Sequence, residues 1–122
     1  MRLQRTDACY ARARVIGVRF TRMINFKEPW EEAFNRTQLV DELEKELSKD
    51  HYLYKFLGQF RSFATSGASD DVIFEIRKMG YVYVHLTWSG KNEKTPWPTY
   101  EMLSSEAKVQ SHIDSDNEDY CS

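Results

Sequence analysis

Apolar and polar positions alternate most regularly over "VIFEIRKMGYVYVHLTW", and that period of two predicts a β-hairpin. Val72, Phe74 and Ile76 fall on one face of its first strand. Val82, Val84, Leu86 and Trp88 fall on one face of its second, and Tyr81, Tyr83, His85 and Thr87 on the other. Gly80 supplies the positive φ that a tight turn needs. A different period governs "TQLVDELEKELSKDHYLYKF". Leu39, Val40, Leu43 and Leu47 recur at helical spacing, with Asp41, Glu42, Glu44, Lys45 and Lys49 as a solvated opposite face. The pattern breaks near 49–51, and "YLYKFLGQFRSFA" predicts a second short helix presenting Leu53, Leu57 and Phe60.

The flanks are less regular. "RVIGVRFTRMINF" places Val18, Phe20, Ile24 and Phe26 at alternate positions, which predicts one half-buried strand or two short ones. In "KEPWEEAF", Pro29 and the glutamates suit the first turn of a short helix. "TSGASDD" and "SGKNEKTPWPT" read as loops. "YEMLSSEAKVQSHI" allows a closing helix through Met102, Leu103, Ala107 and Val109, and "DSDNEDYCS" reads as a frayed acidic tail. The expected architecture is α+β: an antiparallel sheet built on the central hairpin, joined by the 14–26 strand and packed against one main amphipathic helix. Residues 1–113 form its single domain and 114–122 a flexible tail.

Composition narrows the classes. The chain has 122 residues, 41% hydrophobic and 30% charged, with a net charge of −2. That suits one soluble domain able to bury a core. The charge balance argues against a dedicated nucleic-acid binder, although residues 1–27 carry Arg2, Arg5, Arg12, Arg14, Arg19, Arg22 and Lys27 against Asp7 alone. Phosphate contact is one reading of that segment; an edge strand guarded by arginines is the favoured one. Cys9 and Cys121 make neither a disulfide framework nor a metal-spaced pair, so a reducing, cytoplasmic setting is expected. No apolar run reaches the ~20 residues that span a bilayer.

Chemistry-bearing motifs are sparse. Ser89, His85 and Asp70 or Asp71 are the nearest approach to a hydrolytic triad. Four residues of extended chain separate Ser89 from His85, too far for a direct hydrogen bond at about 3.3 Å per residue. His51, His85 and His112 lack metal spacing. "DSDNED" resembles the start of a calcium loop but has Asp119 where the glycine belongs. No glycine loop cradles a phosphate. No cofactor and no metal are therefore expected.

The order "DELEKEL…HYLY", "DDVIFEI", "YVYVHLTWSGKNEKTPWP" resembles small uncharacterised bacterial proteins with a DDVxF…VHLTWSG…WP pattern, of the mobile-element or gene-cassette type. The resemblance covers residues 38–100, is most specific in "DDVIF" and "VHLTWSG", and implies no known activity.

The 14% aromatic content and the amphipathic second face of the hairpin point to a surface that is covered by something. The leading expectation is a non-enzymatic binding or interaction module using Tyr81, Tyr83, His85, Trp88 and Trp97. A homodimer, a protein partner or a small apolar ligand would fit such a surface. The alternative is a small enzyme with an acid–base pair drawn from His85, His51, Asp70 and Asp71. Burial separates the two: an enzyme needs His85 facing a carboxylate inside a pocket, a binding module needs exposed rings.

Overall fold

The computed structural model describes residues 14–16 and 24–121. Its core is a five-stranded antiparallel sheet in the order β3-β4-β5-β6-β7, comprising β3 (Trp30–Glu32), β4 (Phe60–Ser66), β5 (Asp71–Ile76), β6 (Gly80–His85) and β7 (Thr99–Leu103). A separate ribbon pairs β1 (Arg14–Ile16) with β2 (Ile24–Phe26). Helix α1 (Thr37–Glu46) lies against one face of the sheet, and helix α2 (Glu106–Cys121) against the other.

The hairpin alternation is what sorts the two faces. Val72, Phe74, Ile76, Val82, Val84 and Leu86 join Leu39, Leu43 and Leu47 in one buried cluster. Ile73 and Tyr81 point the opposite way, into a second cluster with Phe63, Leu103, Val109 and Ile113. The expected α+β sheet on a main amphipathic helix is present, and the sheet carries a helix on both sides. Gly80 has φ 142°, and a Cβ there would lie 3.3 Å from the carbonyl oxygens of Leu103 and Ser104. The close approach of β7, as much as the turn, therefore requires glycine.

A bulge interrupts β4, where Ser62 faces Phe74 while Ala64 faces Ile73. The extra residue lets Phe63 and Ala64 both face the cluster beneath α2. Ser62 Oγ then accepts from Arg36 N at 2.6 Å and donates to the Ala33 carbonyl at 2.6 Å, tying the start of α1 to the sheet. Helix α1 has no side-chain cap of its own, so this hydroxyl serves one of its orphan amides.

Several local expectations are corrected. "KEPWEEAF" is not a helical turn: Trp30–Glu32 pairs with β4 as an edge strand, because Trp30 is buried under α2. The short helix after residue 51 is only a 3-10 turn (Tyr52–Phe56), and Phe60 already belongs to β4. Leu53 and Phe60 are buried as expected, but Leu57 is exposed. The 14–26 stretch does not join the main sheet; Ile24 and Phe26 pack beneath α2, while Val18 and Phe20 lie outside the described residues. Thr99–Leu103 is a strand rather than the start of a helix. Residues 114–121 are not a separate tail but the last turns of α2, anchored by buried Asn117, whose amide donates to the Glu28 carbonyl at 2.6 Å.

Cys121 is disulfide-bonded, where no disulfide framework and a reducing setting are expected from the sequence. Spacing along a chain does not report which distant segments the fold brings together. The basic segment before β1 also lies outside the described residues. No helix among them is long and apolar enough to cross a membrane.

Candidate functional site

The Tyr81/Tyr83/His85 face of the hairpin is graded from core to solvent. Tyr81 is buried, meets Phe63 edge-on at 5.1 Å, and its hydroxyl lies 3.4 Å from Glu106 Oε2. Tyr83 is half-buried between His112, at 4.5 Å, and Trp30, at 6.2 Å. His85 lies beyond α2 and is exposed. Of the partner surface, pocket wall or half-covered face that the alternation allows, α2 and Trp30 cover Tyr81 and part of Tyr83 and leave His85 open.

At its open end the strand register sets Asp71 directly opposite His85. Residues opposite each other in an antiparallel pair share a face, so Asp71 Oδ1 meets His85 Nδ1 at 2.6 Å. Asp71 Oδ2 accepts from the Tyr83 hydroxyl at 2.6 Å and from Ser69 Oγ at 2.8 Å. Burial alone would raise the Asp71 pKa. The hydrogen bonds from Tyr83, His85 and Ser69, with the charge of His85, outweigh it and hold the carboxyl below its ordinary value. Burial and the neighbouring Asp71 carboxylate push the Tyr83 hydroxyl well up. Tyr83, His85, Thr99, Tyr100 and Glu101 line a shallow pocket of about 180 Å³.

Behind Tyr83, Asp116 Oδ2 accepts from the Trp30 indole at 2.7 Å. His112 Nε2 is 3.4 Å from the same oxygen, but it is buried without hydrogen-bond geometry to any partner. The contact is a through-space one.

The second constellation is the loop after Leu86. Glu46 is fully buried, and its two carboxylate oxygens accept from Thr87 N at 2.9 Å and Trp88 N at 2.7 Å. Glu42 Oε2, one helical turn earlier, accepts from Gly90 N at 2.8 Å. Glu93 Oε2 accepts from Thr87 Oγ1 at 2.8 Å, and Glu93 N donates to the Glu46 carbonyl at 3.0 Å. Asn92 donates to the Leu47 carbonyl at 2.8 Å. Glu42 is thus not on a solvated helix face, as its position suggests; it is 8% exposed. Burial, then a hydrogen bond with Glu42, pushes the Glu46 carboxyl up to about 7, against the two backbone amides that lower it. Glu42 moves down, chiefly through that same hydrogen bond.

This clamp holds Trp88 at φ 59°, a left-handed backbone that a bulky residue seldom adopts. Trp88 therefore leaves the strand pattern and does not share the buried face of Val84 and Leu86. Trp88 and Trp97 are each 46% exposed.

A third group of rings lies beside β7. Tyr52 and Tyr100 are both exposed and parallel, 5.9 Å apart with a 5° interplanar angle. His51 beneath them is buried; its Nδ1 accepts from Leu53 N at 3.0 Å, so Nε2 carries the proton and donates to the Pro98 carbonyl at 2.7 Å. Both nitrogens are occupied, which makes His51 a structural histidine. Among the described residues, no group of three or more His, Cys, Asp or Glu is placed to hold a metal ion.

Sequence reasoning marked five residues. The fold gives Tyr81 to the core, seats Tyr83 and His85 on Asp71, and leaves the two tryptophans exposed. It missed Glu42 and Glu46, whose only signal is an i, i+4 acid pair at the edge of the apolar stripe. No protein-family model, curated protein or solved structure matches the chain.

Proposed function

We propose that the chain is a non-enzymatic binding module that presents Trp88 and Trp97 to a protein partner. One observation carries this reading: the exposed Trp88 sits on a left-handed backbone that two hydrogen bonds to a buried glutamate hold in place. A left-handed backbone costs a non-glycine residue roughly 1–2 kcal/mol. Glycine or asparagine would sit there more cheaply, so stability alone does not favour a large indole. Aromatic side chains fixed before encounter lose little entropy on binding and are the usual energetic anchors of interfaces.

The test uses tagged wild type, W88A and H85A to isolate a partner from the cells that make the protein. Calorimetry then measures each affinity. W88A is expected to weaken binding at least about 30-fold, the size of an interface anchor, and H85A to change it less than about 3-fold. A partner bound equally by wild type and W88A, or lost only with H85A, overturns the reading.

A second reading rests on the Asp71–His85 contact at 2.6 Å beside the pocket. An oriented imidazole of this kind suits general-base chemistry, although His85 is half open to solvent. Wild type should then hydrolyse a p-nitrophenyl ester faster than free imidazole at equal concentration, and H85Q should not. A wild-type rate no higher than imidazole's removes this reading.

A further inference from the structure

Strand β7 ends the sheet, and among the described residues only β6 pairs with it. The register fixes which of its backbone groups are spent. Leu86 N donates to the Asp70 carbonyl at 3.3 Å, so the even-numbered residues of β6 bond to β5. Bonding direction alternates along a strand, so Tyr81, Tyr83 and His85 bond on the other side, to Leu103, Glu101 and Thr99. The N–H and C=O of Tyr100 and Met102 therefore point away from the sheet, and no other described residue bonds to them.

The side chains beside this edge carry charge of one sign. Thr99 and Glu101 stand opposite His85 and Tyr83 and share their face. With Tyr100, these residues line the pocket of about 180 Å³. Glu101 is exposed and makes no hydrogen bond or ion pair with any described residue. After burial, the carboxylates of Asp71, Asp116 and Glu101 are what hold the proton on Tyr83, so the face is negative.

That charge decides the occupant. A two-fold pairing of β7 with a second copy of itself that uses all the free backbone groups is centred on Glu101. It sets Glu101 directly opposite its own copy, in a non-hydrogen-bonded pair with Cα atoms about 4.5 Å apart. Like charges placed so oppose pairing. A strand with a cation at that position meets the opposite sign, and a guanidinium or ammonium can donate to the unpaired carboxylate.

We propose that the β7 edge takes an extended segment of a partner protein by strand addition, with an arginine or lysine of that segment opposite Glu101 and beside the Tyr83–His85 pocket. The proposal rests on the reading of the chain as a binding module for a protein partner, and not on Trp88. Main-chain bonds to Tyr100 and Met102 hold the segment, and the Glu101 carboxylate selects its charge.

The probes are the peptide Ser-Gly-Thr-Val-Arg-Val-Thr-Gly-Ser and the same peptide with glutamate at its centre, each titrated into the isotope-labelled whole chain and followed by NMR. The outward amides of Tyr100 and Met102 should move most, and the inward amides of Thr99 and Glu101 less. Wild type should bind the arginine peptide at least about 5-fold more tightly than the glutamate one, and E101K should reverse the order. If neither peptide moves the outward amides at millimolar concentration, the proposal is overturned. Equal affinity for the two peptides, or an arginine preference that survives in E101K, also overturns it. Outward amides that shift with protein concentration in the absence of peptide would put a second copy at the edge instead. A silent edge alongside a W88A-sensitive partner would overturn strand addition and leave the tryptophan reading standing. Arginine-selective capture at β7 with W88A-insensitive partner binding would do the reverse.

Discussion

Raising the pH from 5 to 8 should destabilise the whole fold, and the size of the effect follows from Glu46. Its carboxyl titrates near 4.5 when unperturbed and is pushed up to about 7 in the folded chain. Folding therefore tightens proton binding at this site. A raised folded pKa means that the contribution is complete below pH 4.5 and is lost as pH climbs through 7. At 1.36 kcal/mol for each tenfold change in proton affinity, the contribution is about 3 kcal/mol, a large share of the roughly 5–15 kcal/mol that holds a domain together. Glu42 is shifted the other way, so its contribution is present above the unfolded value and is lost only on further acidification. The two together place the optimum for this pair near pH 5. Urea unfolding at pH 5, 6, 7 and 8 measures it. With a slope of about 1–3 kcal/mol per molar urea, the wild-type midpoint should drop by roughly 1–2 M across the series. The comparison that counts is wild type minus E46Q, because histidine contributions are common to both proteins and cancel. A difference that stays flat, or grows with pH, refutes the argument that burial raises the proton affinity of Glu46.

Two other predictions concern the scaffold. S62A removes the hydroxyl that bridges Arg36 N and the Ala33 carbonyl. Leaving the buried carbonyl without a donor should cost about 2 kcal/mol in urea unfolding, and S62T should recover part of it. Y83F deletes one of the hydrogen bonds that depress the Asp71 carboxyl. Its folded pKa should move up toward the ordinary value, so the stability that Asp71 supplies above that value begins to fail earlier on acidification. A carboxyl-carbon NMR titration of Asp71 in both proteins checks the direction.

The periodic parts of this chain determine themselves. Alternation over 72–86 assigns each residue to a face without reference to anything distant, because successive side chains of a strand must point opposite ways. The spacing of Leu39, Leu43 and Leu47 does the same for α1. The irregular parts depended on their neighbours. "KEPWEEAF" carries helix-start residues, yet Trp30 becomes a strand residue because burial beneath α2 outweighs a weak local preference. The 114–119 acids look like a solvated tail until Asn117 and Ile113 are seen to face the core. Face assignment alone made His85 a candidate, but only strand register could set Asp71 against it. Glu42 and Glu46 lie furthest from what a sequence can state. Whether a helical carboxylate meets water or a loop's backbone amides is decided by what the fold brings over it, and that loop lies more than forty positions away in the chain.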